Sequence, residues 1–175
     1  VAGAVWAVPP ALLKARSEVH EVLTTVVQNR VADSLLSLAL AIGLALPGTT
    51  RTRAIAASAT LPRLDVFASS LRGSSASVAF FLAVLVAALS AFAFRRTRVR
   101  ELWLVGQNAA ACAAVGIPVK TRIFQAMCLS GGIAGLASTA TVLGYKGYYE
   151  LGLGAGAGFG GLAVAMLGRG STAGL

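Results

Sequence analysis

Charged side chains are scarce in this chain. Asp, Glu, Lys and Arg make up 12% of its 175 residues, against about 25% in an ordinary soluble domain. That leaves too little polar surface to cover a globule dissolved in water, and the apolar share of 57% points the same way. Cysteine is limited to Cys112 and Cys128. Two residues so far apart make neither a disulfide framework nor a metal cluster, and both read as small packing residues. Histidine occurs once, at His20, and reads as an interfacial residue rather than a ligand. No HExxH, CxxC or GxSxG spacing occurs, which removes the usual zinc-protease, dithiol and serine-hydrolase signatures. No catalytic residue and no metal site is expected.

Positive charge and uncharged length are what the chain has in excess. Fifteen Lys and Arg against six acidic residues give a net charge of +9. A nucleic-acid partner is disfavoured, because the basic residues fall in clusters between long uncharged runs rather than along one polar face. A basic membrane protein with charged loops fits this distribution. A spanning helix needs roughly 20 mainly apolar residues. Four uncharged runs come near: Ser34–Thr50 with 17 residues, Gly73–Phe94 with 22, Ile123–Tyr145 with 23 and Leu151–Gly168 with 18. Val1–Leu13 is the tail of a fifth.

The second and third runs are expected to cross a bilayer. The first is short and is expected to begin within EVLTTVVQNRVAD, whose polar residues would face protein or a water path. Seven residues of the fourth are glycine, which permits either tight helix packing or a broken, re-entrant segment. Its GAGFGG, Gly156–Gly161, has the spacing of a dinucleotide fingerprint but no preceding strand and no following acidic residue. Helix packing is the expected use. Val1 is not an initiator Met and no charged segment leads an apolar core, so no signal peptide is expected. The chain reads as an internal piece of a longer protein.

One island interrupts this pattern. RRTRVRELWLVGQNAAACAAVGIPVKTR, Arg95–Arg122, holds six of the fifteen basic residues, opposed only by Glu101. With the island in the cytoplasm, alternation puts Lys14, Arg16, Arg30 and Arg169 there too. Ten basic residues are then inside, and five (Arg51, Arg53, Arg63, Arg72 and Lys146) are outside. That ratio follows the positive-inside rule. Pro47–Ser75 becomes a partly structured outer loop. Inside the island, Ala109–Ala114 favours helix, Asn108 suits its N-cap, and Gly116 followed by Pro118 stops it. A short, smooth helix results. It would dock in a groove of another protein or lie on anionic headgroups with Trp103 as anchor.

At this point the residues carry a resemblance. RTRVRELWLVGQNAAACAAVGIPVKTRIFQAMCLSGGIAGLAS resembles the cytoplasmic coupling region of ABC importer permeases of the sugar, nucleoside and branched-chain amino-acid group. The matching residues are Arg96, Thr97, Gly106, Asn108, Ala111, Gly116, Ile117, Val119, Ser130, Gly131, Ala134 and Gly135. ALLKARSEVHEVLTTVVQNRVA is similar to a segment of the nucleoside-type members through Leu13, Lys14, Ala15, Val19, Glu21, Val22, Thr25, Asn29 and Ala32. GAGFGGLAVAMLGRGSTAGL is similar to another through Gly158, Phe159, Gly161, Ala163, Val164, Ala165, Leu167, Gly168 and Arg169. The chain departs from the pattern at Ala109 (usually Pro), Arg30 (aromatic), Gln28 (apolar) and His20 (Asn), and Val99 and Arg100 blur an expected Gly.

The resemblance implies an all-α fold: a multi-pass transmembrane helical bundle with a short cytoplasmic coupling helix. Residues 1–175 would be one partial domain, with further helices before 1 and after 175. It implies a transport subunit rather than an enzyme, in the bacterial plasma membrane, importing nucleosides. Simple sugars of the ribose type and branched-chain amino acids are the alternatives. The implied partners are an ABC ATPase that uses the ATP, a second permease subunit, an extracytoplasmic substrate-binding protein and the lipid bilayer. No cofactor would be bound by this chain itself. The loop 95–122 would transmit closure of the ATPase, with Gly106, Asn108, Ala111, Gly116 and Ile117 as its coupling residues.

Glu21, Thr25 and Asn29 are the candidate substrate pathway. With Gln28 they line the route or brace its gate, or else hydrogen-bond neighbouring helices. A carboxamide such as that of Asn29 can pair with a purine or ribose edge. Tyr145, Tyr148 and Tyr149 fall at the outer end of a span, as an aromatic belt or a docking surface. The rival of another class is a membrane-embedded enzyme or a scaffold protein. An enzyme requires convergent ionisable residues within its spans, and Gly73–Phe94 and Ile123–Tyr145 contain none.

Overall fold

Stretches of Ala, Leu, Val and Gly offer few side-chain partners to backbone N–H and C=O groups, so the backbone must satisfy itself, and helix is how one segment does so alone. The computed structural model describes residues 1–17, 19–62, 78–93, 95–154 and 156–168. Among them there are eight α-helices and no strand beyond two isolated bridges. The helices are α1 (Ala2–Trp6), α2 (Val8–Ser17), α3 (Glu21–Ala39), α4 (Ala79–Ala93), α5 (Thr97–Gln107), α6 (Ala109–Ala114), α7 (Val119–Ser138) and α8 (Ala157–Leu167). Arg63, Arg72 and Arg169, residues 73–77, and Phe94 lie outside the described residues, as do the side chains of Arg98 and Tyr145. The chain divides into two units, Val1–Ser37 with Phe92–Ala137 and Leu38–Ala91 with Ser138–Leu175.

The first unit is organised by a close approach of α1 to α7. A Cβ added at Gly3 would lie 2.3 Å from the Gly131 carbonyl oxygen and 3.1 Å from the Gly135 Cα. One added at Gly131 would lie 2.5 Å from the Ala7 Cβ. Only glycine permits this spacing, and in lipid close backbone contact is what joins helices. Lys14, near the end of α2, meets Glu21, the first residue of α3, at 2.6 Å.

In the second unit the helix begun as α3 widens to a π turn at Leu40–Leu44 and ends where Gly43 takes φ +128°. The helix begun as α7 widens likewise over Thr139–Lys146 and closes at Gly147, φ +70°. Residues 46–61 then run beside residues 143–151. The Thr52 N–H donates to the Tyr149 carbonyl at 2.8 Å, Ile55 to Gly147 at 2.7 Å and Leu61 to Leu143 at 2.8 Å. This is the partly structured loop read from Pro47–Ser75, as far as it is described. Arg51 lies 5.4 Å and Lys146 5.7 Å from the Tyr148 ring centroid, and Lys146 also pairs with Glu150.

The expected spans are met unevenly. Val119–Gly144, 26 residues, is long and apolar enough to cross a membrane, at about 39 Å for 1.5 Å per residue. The described part of the second run is α4, 15 residues, which reaches about 22 Å. Helix does begin within EVLTTVVQNRVAD, at Glu21. The glycine-rich run is half turn, half helix: Gly152, Gly154 and Gly156 take φ of +84°, +94° and +83°, and α8 starts only after them. Large apolar side chains point away from the chain, among them Phe80 at 61% and Met166 at 73% exposure, and no large side chain among the described residues is fully buried.

Two substitutions test this packing. Gly131→Leu should destabilise the full-length protein by about 1–3 kcal/mol through overpacking, read as a lowered Tm in detergent. Gly132→Ala, whose Cβ would make an ordinary 3.6 Å contact with Ala4, should leave Tm unchanged or raise it.

Candidate functional site

The island Arg95–Arg122 folds as two helices and a corner. Asn108, at φ −153° and ψ 96°, serves both helices. Its N–H donates to the Leu104 carbonyl at 3.0 Å, closing α5, and its Oδ1 accepts from the Ala111 N–H at 2.9 Å, opening α6. At the far end Gly116 takes φ +83°. The Ile117 N–H then reaches Cys112 O and the Gly116 N–H reaches Ala113 O, each at 3.0 Å, the paired closure a left-handed glycine allows. Cys112 is the buried residue of α6, and Ala109, Ala110, Ala111, Ala113 and Ala114 are exposed. The expected helix therefore has the expected cap, stop and smooth face. That α5 is helical from Thr97 was not anticipated, since its arginines read as loop charge.

Gly106, Asn108, Ala111, Gly116 and Ile117 fall together along this corner. An added Cβ meets nothing within 4 Å at Gly106 or Gly116. Gly116 is required by its backbone angle; Gly106, inside a helix, is required by no contact among the described residues. The corner is bolted to α7 by Arg122. Its Nη2 lies 2.6 Å from Glu101 Oε2 on α5, with both side chains partly buried. Its Nη1 donates to Gln125 at 2.8 Å. Sequence reasoning marked Glu101 as the lone acidic residue of the island without finding this partner.

The same unit contains a cavity of about 680 Å³ between α1, α2, α3 and α7, within the roughly 300–1,000 Å³ range of small-molecule sites. Thr25 and Asn29, both expected in the pathway, line it. Trp6, Gln28 and Ser130 add to its polar and aromatic surface, and Met127 adds a thioether. The Thr25 hydroxyl donates to the Glu21 carbonyl at 2.9 Å and Gln28 donates to the Trp6 carbonyl. Glu21 is not part of the lining. Its carboxylate pairs instead with Lys14 at 2.6 Å. Trp6 and Ser130 were not expected in the site. Ser130 stood in the matched segment SGGIAGLAS, and Trp6 in the run Val1–Leu13. Among the described residues no cluster of His, Cys, Asp or Glu can hold a metal.

The whole chain, residues 1–175, matches the family described as branched-chain amino acid transport system / permease component. The chain belongs to this permease family. It is 32% identical over 176 residues to the guanosine ABC transporter permease protein of Bacillus subtilis, covering 99% of this chain and 50% of that one. It is also 32% identical over 184 residues to the glucose ABC transporter permease protein of Haloferax volcanii, covering 98% and 47%. A nucleoside ABC transporter permease protein of Lactococcus lactis is 27% identical over 182 residues, covering 100% and 50%. The permease chain thus spans about half the length of these curated relatives. No solved structure matches it.

Glycine at position 106 of the permease chain can be tested directly. Gly106→Ala should raise helix stability by about 0.5–1 kcal/mol and leave Tm unchanged or higher, because its Cβ enters open space. Glu101→Gln removes the charge that opposes a half-buried guanidinium and should lower Tm. A Glu101→Arg/Arg122→Glu exchange should recover part of that loss.

Proposed function

We propose that the chain is part of the transmembrane subunit of an ATP-driven ABC importer, with nucleosides as the solute. It is a multi-pass component of the plasma membrane, and the island 95–122 is its cytoplasmic lever. The observation that carries this reading is that lever and cavity share one helix. Arg122, tied to Glu101, sits in the first turn of α7. Ala126, Met127, Ser130, Gly131, Ala134 and Gly135 of the same helix form one wall of the cavity. Eight residues separate Arg122 from Ser130, about 12 Å along the axis, so a displacement of the α5–α6 corner moves the wall without an intervening joint.

The chain performs no bond chemistry. A partner ATPase binds and hydrolyses ATP, and its closure is felt at the exposed face of α6 and at Gly106. A second permease subunit and an extracytoplasmic binding protein complete the importer. The solute is transferred because the two ATPase states favour different arrangements of the helices, which requires differential contacts in each. A nucleoside fits the lining better than a hexose. The surface around Asn29 and Ser130 is chiefly apolar, with the Trp6 indole beside it, and a flat heterocycle can bury against such a surface. A hexose would leave several hydroxyls without partners, at roughly 1–3 kcal/mol each. Support for nucleosides also comes from the guanosine and nucleoside permeases among the relatives. The glucose permease supports the sugar alternative.

Uptake by the full-length permease, reconstituted with its ATPase and binding protein, decides between them. Labelled guanosine or uridine should accumulate with ATP and be competed by other nucleosides, not by glucose or ribose. Asn29→Leu should raise KM about tenfold, the loss of a polar solute contact, and Gly106→Trp should abolish uptake while leaving solute binding to the external protein intact. Competition by glucose or ribose alone overturns the solute. Normal uptake with Gly106→Trp overturns the lever.

A further inference from the structure

Pro9 and Pro10 interrupt the donor series of the first two helices. A helical carbonyl accepts the N–H of the residue four positions on. For Trp6 that residue is Pro10, which has no N–H, and Pro9 before it has none either. The next N–H, of Ala11, is already given to the Ala7 carbonyl at 3.1 Å. No helical donor is left for the Trp6 carbonyl, and Trp6 and Pro10 both line the cavity. The carbonyl accepts instead from Nε2 of Gln28, on α3.

We propose that Gln28 is a positioning residue whose amide stands in for the N–H that Pro10 lacks, latching the broken α1–α2 to α3 and fixing the width of the solute cavity. The proposal rests on the reading of that cavity as the solute route. It also divides the polar side chains of the lining by task. Gln28 is committed to Trp6 and Thr25 to Glu21. Asn29 and Ser130 are left to meet solute. Without the latch an open carbonyl faces the cavity and the two helices are free to part, because a Pro-broken helix has little of its own to hold its angle.

The test is a double-mutant cycle in the full-length permease reconstituted with its ATPase and binding protein, reading nucleoside uptake and Tm for wild type, Gln28→Leu, Pro10→Ala and the double variant. Gln28→Leu should raise KM about 3- to 10-fold, the value of one hydrogen bond, with a smaller change in maximal rate, and should lower Tm. In the Pro10→Ala background the restored backbone N–H takes the Trp6 carbonyl, so adding Gln28→Leu should change KM and Tm by less than about twofold and 1 °C relative to Pro10→Ala alone. Gln28→Glu, equal in length but without a donor at neutral pH, should behave as Gln28→Leu. Should Gln28→Leu fail to accumulate while the double variant does, that rescue supports the latch, and loss of both overturns it. Equal effects of Gln28→Leu in the two backgrounds, or none with Pro10 present, overturn it as well. If wild type takes up no nucleoside, the solute reading fails, and the Tm cycle alone still decides the latch.

Discussion

Everything in the first unit depends on how closely two backbones approach at Gly3, Gly131 and Gly135. A soluble fold of this length would be held by buried Leu, Phe and Ile. Among the described residues of this unit the buried apolar side chains are few and mostly small, Ala11 and Cys112 with Val105, while Leu129, Ile133 and Leu136 of α7 face outward. Between helices in lipid the hydrophobic effect supplies no attraction, since a lipid tail is as apolar as leucine. Many weak dispersion contacts between surfaces without side chains take its place. Removing side chains at the crossing is therefore what allows α1 and α7 to form a wall at all, and the cavity exists beside that wall because the helices meet at a few glycines.

Hydrogen-bond closure is the second constraint, and it explains the irregular places. Away from water an unpaired carbonyl costs several kcal/mol. Three of the breaks among the described residues are closed by particular groups, whether or not water reaches them. Asn108 closes α5 and opens α6, Gly116 permits the paired closure at Ala113 and Cys112, and Gln28 covers the carbonyl that Pro10 exposes. In the second unit the bonds from Thr52, Ile55 and Leu61 to residues 143–149 do the same for a segment with no helix of its own beyond one short turn.

What could be read from the sequence follows from the range of each interaction. The α6 helix was legible residue by residue, because its cap and stop are local and depend on Asn108, Gly116 and Pro118 alone. Gly131 and Gly135 stood out only as matches to the family's pattern, since Gly3, which they meet, lies more than a hundred positions away. Thr25 and Asn29 line the cavity and Glu21 pairs with Lys14, because one helical turn suffices to separate a cavity face from a charged end. The α5 helix was hidden by its arginines, whose solvation reads as loop. The π turns at Leu40–Leu44 and Thr139–Lys146 leave no mark in an apolar run, because they differ from α-helix only in which carbonyl each N–H selects. The glycines of 152–156 carried two readings. Their positive φ angles select turn for that half and leave helix for the other.

Gly106 shows how a residue can be explained by what lies outside its own chain. Within α5 it forfeits about 0.5–1 kcal/mol relative to alanine. It relieves no close contact, since a Cβ there meets open space, and its φ is not one of the left-handed values that only glycine adopts freely. Two intramolecular reasons for a helical glycine are thus removed in turn. The exposed alanines of α6, one turn further on, extend the same bare surface, and the first turn of α7 is tied to it through Glu101 and Arg122. Under the proposed function, this bare surface, fastened to the wall of a cavity, is the contact face of the partner ATPase. The constraint on Gly106 is then a group approaching from another subunit, and it is read in transport rather than in the stability of the permease alone.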